Sequence, residues 1–301
     1  MSTASPTPSH TPSKPSNARL EEAQGEANSS SSYHKPQEGE SSDEDNEEQK
    51  DESEETHTQA ANSEAAWWRV AAAEIFGTFV LTFGVCGVVM ITELGRLIPL
   101  EKTDYMARAV FPGLLIVGII YAVGDVSGAH VNPVATWAFV LRGTLPWKRI
   151  PLYWFSQVAG AIGAALLLRV LFGNIKNLGV GEPHIAAWPA VAVEALLTGL
   201  LIFVILNTAR RHSSLGPQSA LAVGSTVAAC RIFGAPLTGC SMNPARSLGP
   251  AIVTGQWAQC WIYIVGPFLG ASLAAALMWL LHGAPEPEEA KPAAGDEQSQ
   301  G

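Results

Sequence analysis

The feature that most constrains the fold is a series of six long apolar runs in the middle of the chain. Each run is close to the roughly 20 residues that an α-helix needs to cross the hydrocarbon core of a bilayer. The runs do not alternate between apolar and polar faces, as the helices of a soluble core would. The sequence therefore predicts an all-α membrane protein with six transmembrane helices. The six runs are Trp67–Thr92, Ala107–Gly124, Pro151–Phe172, Ala190–Leu206, Gln218–Gly234 and Trp257–Leu281.

Two polar tails flank these runs. Residues 1–64 contain 15 acidic and 4 basic side chains, a net charge of −11, and almost no large apolar side chains. Such a segment cannot bury enough surface to offset the entropy lost on folding, and the same holds for residues 283–301. The sequence predicts disordered tails at 1–64 and 283–301 around a membrane domain at 65–282. The first run follows a long acidic tail, so it is not predicted to be a cleaved signal sequence.

Basic residues beside the runs indicate the orientation of the chain. Lys and Arg are enriched in the cytoplasmic loops of membrane proteins. If the N-terminus lies inside, six basic residues flank the runs on the inner side and four on the outer side. This favours a multi-pass protein of the cell membrane with both termini in the cytoplasm. The inner residues are Arg69, Arg142, Lys148, Arg149, Arg210 and Arg211, and the outer residues are Arg96, Lys102, Arg108 and Lys176.

The chain contains an internal repeat. Glu74 and Thr78 in "AEIFGTF" have the same spacing as Glu194 and Thr198 in "VEALLTG". The segments "SGAHVNP" and "TGCSMNP" also match, and each ends in an Asn–Pro pair. Each half has three spanning runs, an odd number, so the second half must lie inverted in the membrane. An inverted repeat of this kind is common in channels and transporters.

Each Asn–Pro pair precedes a short apolar segment. These segments, Val134–Leu141 and Ala245–Val253, would reach roughly 15 Å as helices, about half of the hydrocarbon core. Asn is a favoured N-cap and Pro a favoured first helical residue, so Asn132–Pro133 and Asn243–Pro244 each predict the start of a half-helix. Irregular backbone at this depth is tolerated only within protein or beside a watery cavity. The sequence therefore predicts two re-entrant half-helices whose Asn amides line a pore.

Between Trp67 and Leu281 the sequence resembles the aquaporin, or major intrinsic protein, family. The resemblance rests on "AEIFGTF", "SGAHVNPV", "SMNPARSLGPA", the repeat and the six runs. It implies six tilted helices and two half-helices around a narrow pore, usually four pores to a tetramer, and passive flow of water or small uncharged solutes such as glycerol. The second motif, Asn243–Pro244–Ala245, is intact, whereas Val134 replaces the usual alanine of the first motif, Asn132–Pro133–Val134. We interpret the chain as a bacterial-like member with this variant first motif.

The resemblance also implies roles for four polar residues. Arg246 would stand at the narrow filter, where its charge and the dipoles of the two half-helices repel protons and cations. Glu74 and Glu194 would face inward and hold the loop backbone in place. His130 would brace its loop by hydrogen bonding.

Family spacing places three further residues at the filter, namely Pro112, Arg231 and Cys240. Water-selective members usually have an aromatic residue and a histidine at the first two positions, and glycerol-conducting members have an aromatic and a small residue. Pro112 and Arg231 match neither pattern, so the solute stays open between water and larger neutral molecules. Arg231 has two interpretations: an anchor at the membrane interface, or a second guanidinium that faces Arg246 across the constriction.

Other function classes leave weaker traces in the sequence. An ion-coupled secondary transporter also uses inverted repeats, but it needs an ionisable site that only the two repeated glutamates and Asp125 could supply. A structural membrane protein with a closed pore is the other alternative. The sequence shows no nucleophile motif, so we predict no enzyme activity, cofactor, metal or nucleic-acid partner. The resemblance implies a homotetramer in the lipid bilayer. The cysteines have no metal-ligand spacing and are expected to serve packing: Cys86, Cys230, Cys240 and Cys260.

Overall fold

The fold is α-helical in a computed structural model, which describes residues 41–95, 104–210, 218–286 and residue 289. Within these ranges there are eight α-helices, two short 3-10 segments and no β-strand. The chain divides into two units, Met1–Glu55 and Thr56–Gly301; the first helix begins in the first unit, and the cavity and all side-chain contacts below belong to the second. The helices are α1 Ser41–Gly95, α2 Asp104–Ser127, α3 Pro133–Arg142, α4 Ile150–Phe172, α5 Ala187–Arg210, α6 Gln218–Thr238, α7 Pro244–Thr254 and α8 Ile262–His282. The 3-10 segments are Trp147–Arg149 and Ile175–Gly179.

Among the described residues, six segments are long and apolar enough to cross a bilayer, which confirms the predicted number of transmembrane helices. Several are longer than the predicted runs, because helical backbone continues into flanking polar residues that run length does not detect. The sixth is shorter, since residues 257–261 contain turns and the span begins only at Ile262. The spans are Trp67–Leu94, Tyr105–Ser127, Trp147–Phe172, Ala187–Arg210, Gln218–Thr238 and Ile262–His282.

The two short helices, α3 and α7, are the predicted half-helices, with 10 and 11 residues. Asn132 and Asn243 are their N-caps. The side-chain oxygen of each Asn accepts a hydrogen bond from a backbone N–H of the first turn, of Val134 or Arg246, at 3.2 Å in both cases. Each helix then ends at a glycine in the left-handed region, with φ of 82° and 75°, a common helix terminator. Both half-helices therefore begin at the predicted Asn–Pro pairs.

The first helix begins inside the segment that the sequence predicts to be disordered. Residues 41–64 form the first part of α1, whereas disorder is predicted for all of 1–64. Glu, Gln, Lys and Ala are strong helix formers, and a segment joined to a transmembrane helix extends that helix without the cost of nucleation. Residues 1–40 lie outside the described residues, so the prediction for them stays a prediction.

Part of the C-terminal segment is also held in place, although 283–301 is predicted to be disordered. Glu289 is only 3% exposed, and its carboxylate accepts a hydrogen bond from Arg142 at the end of α3. Disorder is predicted because this segment has little apolar surface. Composition alone does not show that a buried arginine, distant in sequence, binds one of its carboxylates. Of this segment, the structure describes residues 283–286 and 289.

Helices α2 and α6 cross closely because both carry glycine at the crossing point. A Cβ added to either Gly113 or Gly224 would collide with the backbone carbonyl of the other. Small residues permit this approach in a membrane, where packing rather than water exclusion drives helix association. The close crossing fixes the relative position of Pro112 on α2 and Arg231 on α6.

Candidate pore and selectivity filter

The two loops that precede the half-helices share an unusual backbone conformation. Three residues of each loop lie in the left-handed region, with φ between 43° and 81°. Two of the three are not glycine, and each such residue costs about 1–3 kcal/mol unless its surroundings fix it. The loops are therefore strained and need external support. The six residues are Gly128, Ala129 and Val131, and their repeat partners Gly239, Cys240 and Met242.

A buried glutamate supports the first loop. Glu74 on α1 is fully buried, and its two oxygens accept hydrogen bonds from the backbone N–H groups of His130 at 2.9 Å and Val131 at 2.8 Å. The hydroxyl of Ser127 donates a third bond at 2.7 Å. Backbone that alternates between left- and right-handed conformations directs successive N–H groups at one anion. The carboxylate thus fixes the strained loop.

The second loop has the same support from Glu194 on α5, which is also fully buried. Its oxygens accept from the N–H groups of Ser241 at 3.0 Å and Met242 at 2.8 Å, and from the Thr238 hydroxyl at 2.6 Å. The structure therefore places both glutamates beside the loops, as the sequence analysis expects.

The two halves differ in one partner of the glutamates. Gln157 on α4 donates from Nε2 to Glu74 at 2.7 Å and to the Thr136 hydroxyl at 3.3 Å. The corresponding residue of the second half is Pro267 in α8, which has no side-chain donor. The first glutamate is consequently bound by one more donor than the second.

His130 lies in a closely packed position beside the first loop. It is 4% exposed, and its Nδ1 is 2.9 Å from the Thr136 hydroxyl. Its ring stacks between those of Phe139 and Tyr153, at centroid distances of 4.8 and 4.4 Å. The Tyr153 hydroxyl in turn donates to the Ser127 carbonyl at 2.8 Å. The contacts of His130 are those of a brace for the loop.

The two Asn side chains join the two halves of the molecule. Asn132 Nδ2 donates to the Met242 carbonyl, and Asn243 Nδ2 donates to the Val131 carbonyl, both at 2.8 Å. Both Asn residues also lie on the wall of an internal cavity. Each amide has two N–H donors. One binds the loop of the other half, so one is left for the cavity.

The other motif residues are buried in the protein. Val134 and Ala245 have no exposed surface, and Pro133 and Pro244 are buried in the first turns of α3 and α7. The Pro133 carbonyl accepts a hydrogen bond from the indole of Trp154 at 3.1 Å. Val134 therefore alters packing within the protein and adds no charge.

The cavity has a volume of about 130 Å³ and extends along α6. Four of its wall residues lie four positions apart on that helix, from Ser219 to Arg231, which corresponds to about 18 Å at 1.5 Å per residue. A buried water needs roughly 10–15 Å³ of such space, so the cavity accommodates a row of several waters. The polar loops form one side of the wall. Much of the rest is apolar, including Leu81, Ile116, Ile120, Leu201, Val223 and Val227.

Two arginines share the cavity wall, and each is 4% exposed. Arg246 donates from Nη2 to the Gly179 carbonyl at 2.9 Å. Arg231 donates from Nε to the Arg108 carbonyl at 2.9 Å and from Nη1 to the Cys240 carbonyl at 2.7 Å. These contacts place Arg231 on the cavity side of α6, as the pore-lining interpretation requires.

The remaining filter positions contribute differently. Pro112 lies on the cavity wall. Cys240 has no exposed surface, and its contact with the filter is the carbonyl that accepts from Arg231. Cys240 has a positive φ, and its side chain packs against Gly234. A Cβ added at Gly234 would lie 3.2 Å from the Cys240 sulfur. Cys240 therefore acts at this site through its backbone.

Several residues of the site are absent from the sequence analysis, among them Gln157 and Gly179. Gln157 had a signal, since it is an amide side chain within an apolar run. Gly179 had none, because it acts through its carbonyl at the end of a 3-10 segment. The three residues before Gly179, Lys176 to Leu178, all have positive φ. This left-handed turn sets the course of the backbone that leads to Gly179. The four cysteines are free and buried, and the described ranges hold no cluster of three or more potential metal ligands.

The described ranges hold six membrane spans, four of which line the cavity, and two half-helices meet at its wall; this arrangement defines a transmembrane channel. The Major intrinsic protein family model matches residues 61–279. The chain is 38% identical over 200 residues to Aquaporin NIP1-3 of Oryza sativa subsp. japonica, covering 66% of this chain and 68% of that relative. It is also 38% identical over 200 residues to Aquaporin NIP1-1 of Zea mays, covering 66% of this chain and 70% of that relative.

A solved structure has the same fold. The X-ray structure of the aquaglyceroporin from Plasmodium falciparum superposes with a TM-score of 0.63 at 22% sequence identity, over 70% of this chain and 95% of that one. The chain therefore belongs to the major intrinsic protein family. It is a multi-pass, passive channel for water or small uncharged solutes and not an enzyme.

Proposed function

We propose that water and small neutral solutes cross the membrane through this cavity, past the two Asn N-caps. The observation that carries the proposal is a pair of hydrogen bonds: Asn132 donates to the second loop, and Asn243 donates to the first loop. Each bond fixes an amide at the cavity wall and leaves one N–H for a solute oxygen. The apolar wall of the cavity offers no competing hydrogen bonds, so solute oxygens bind weakly and leave readily.

Cations are excluded by positive charge in the same place. The N-termini of α3 and α7 each carry roughly half a positive charge, and the Asn bonds hold these two ends together. Arg246 adds a full charge that its bond to Gly179 fixes at the wall. The passage is therefore unfavourable for protons and cations while it still offers donors to neutral oxygens.

Hydrogen bonds occupy both carboxylate oxygens of each buried glutamate, and this supports passive flow over ion coupling. Glu74 and Glu194 both accept hydrogen bonds at each oxygen from loop groups. A coupling site must exchange an ion during transport, and breaking these bonds would release the strained loops.

The proposal places residues 65–282 as the channel domain of a homotetramer in the cell membrane, with both termini in the cytoplasm. Large apolar side chains on the outer surface support burial in lipid or against neighbouring subunits. Phe155 is 78% exposed, Val170 81% and Leu280 80%. Such residues are unfavourable in water and fit a bilayer or a subunit interface.

The first prediction tests conduction directly. Purified full-length protein in liposomes should raise osmotic water permeability, measured by stopped-flow light scattering, with a low activation energy and no dependence on ion gradients. Glycerol and urea permeability are measured in the same preparation. Permeability equal to that of empty liposomes for all three solutes contradicts the proposal.

The second prediction concerns Arg231. Replacing it with Ala removes a guanidinium from the cavity wall, so Arg231→Ala should raise glycerol permeability more than water permeability, with cations still excluded by Arg246. The readout is the glycerol-to-water ratio at equal protein per liposome. Arg169→Ala is the control, because Arg169 is an exposed residue of α4 that donates to the Val253 carbonyl. An unchanged ratio in Arg231→Ala shows that Arg231 does not set the width of the pore.

A further inference from the structure

The cavity holds two arginines whose donors are mostly unused by the protein. A guanidinium carries five N–H donors. Arg231 uses donors for the carbonyls of Arg108 and Cys240, and Arg246 uses one for the carbonyl of Gly179. Arg246 Nε is buried and has no hydrogen-bond partner among the described residues. Both residues are 4% exposed and lie on the cavity wall, so the accessible part of each guanidinium faces the cavity rather than bulk solvent, while Arg246 Nε is enclosed by protein.

Neither arginine has a carboxylate partner in the described part of the chain. The ion pairs there involve Arg108, Arg142, Lys176 and Arg210, and not the two cavity arginines. The buried carboxylates of Glu74 and Glu194 bind the loop amides instead. Carbonyl oxygens satisfy N–H donors, but they do not neutralise a full positive charge.

Arg142 shows how the same protein treats a buried arginine elsewhere. It is 1% exposed, and Glu289 binds it through two bonds, at 3.0 and 3.1 Å. The two arginines of the cavity have similar burial but no such acid. Arg246 also lies in the first turn of α7, where the helix dipole adds further positive potential.

The geometry points to a binding site for a small monovalent anion between Arg231 and Arg246. Chloride, nitrate or formate would match the free donors and the positive potential, and each is small enough to enter the cavity of about 130 Å³. The inference rests on the proposed function, because it takes this cavity as the solute pathway. A bound anion lies in that pathway and therefore slows the passage of water.

Water permeability in different salts tests the inference. Wild-type proteoliposomes are compared in sodium nitrate, sodium chloride and sodium gluconate at equal ionic strength and osmolality. Gluconate is the reference anion, because it is much larger than nitrate and chloride. Permeability should fall as nitrate or chloride replaces gluconate, by about twofold when the anion concentration equals its dissociation constant. Arg231→Gln should abolish this dependence, whereas Arg169→Ala should retain it.

Direct binding gives a second measurement that does not depend on conduction. The chloride NMR line of a solution containing detergent-solubilised protein should broaden, and nitrate should reverse the broadening in the wild type but not in Arg231→Gln. Equal water permeability in all three salts, together with no nitrate-sensitive broadening, overturns the anion site and leaves the proposed function standing. No permeability above empty liposomes in any salt, with nitrate-sensitive broadening present, overturns the proposed function and leaves the anion site.

Discussion

Replacing Glu289 with Ala should lower the free energy of unfolding by about 3–5 kcal/mol, because it leaves Arg142 buried without its counter-charge. Arg142 is 1% exposed, and it also donates to the Gly283 carbonyl at 2.5 Å and lies 5.2 Å from the ring centroid of Trp279. These contacts leave the guanidinium no route to bulk water, so the lost carboxylate is not replaced by solvent.

Thermal unfolding in detergent, followed by circular dichroism, measures this effect as a fall in Tm. Glu286→Ala is the matched control, since the side chain of Glu286 is 66% exposed and its nearest ion-pair distance, to Arg210, is 3.6 Å. An exposed pair of this kind contributes about 0–1 kcal/mol. The double variant Arg142→Met with Glu289→Leu removes both charges and should recover most of the lost stability. Equal Tm values for Glu289→Ala and Glu286→Ala would falsify the role of Glu289.

Glu194→Gln should abolish most of the water permeability. The amide that replaces one carboxylate oxygen is a donor, so it opposes the N–H of Ser241 or Met242 and cannot accept from it. The loop then loses support for its left-handed residues, at about 1–3 kcal/mol for each unsatisfied buried group. Since about 1.4 kcal/mol changes an equilibrium tenfold, we expect permeability per protein to fall by at least about tenfold.

The measurement is stopped-flow light scattering at equal protein per liposome, with the oligomeric state of each variant compared with that of the wild type by gel filtration. Glu286→Gln, a change at an exposed acid, serves as the control and should leave permeability unchanged. Glu74→Gln tests the repeat partner and should give a similar loss, since Glu74 accepts from His130 and Val131 in the same way. If Glu194→Gln has wild-type water permeability, Glu194 is not needed to hold the second loop in its conducting conformation.

Local signals in the sequence predict the membrane spans and the start of each half-helix. Run length predicts a span, and an Asn–Pro pair predicts an N-cap, because both depend on neighbouring residues alone. The contact between Arg142 and Glu289 could not be predicted in this way, since 147 positions separate the two residues. Composition describes the C-terminal segment as solvated, and only the folded chain shows that a buried guanidinium captures one of its acids.

The filter illustrates a different limit. Spacing indicates Arg231 as a filter residue, but sequence alone leaves two poses open, because a helix end can lie at an interface or at a pore mouth. In the structure Arg231 donates to the carbonyls of Arg108 and Cys240, which favours the pose at the cavity wall, and Cys240 has a positive φ that no residue-type preference indicates. Prediction from sequence is thus weakest where the backbone is strained.

The reciprocal hydrogen bonds of Asn132 and Asn243, each to the loop of the other half, have a consequence for biosynthesis. Asn132 reaches the carbonyl of Met242, a residue that the ribosome adds 110 positions later. Glu74 can bind the first loop as soon as the first half is made, but the Asn132 amide has no Met242 carbonyl and the Val131 carbonyl has no Asn243 amide until the second half follows. Neither half can form the constriction alone, so the water path is completed only after translation has passed the second Asn–Pro pair. A chain interrupted before that point leaves no functional pore in the bilayer.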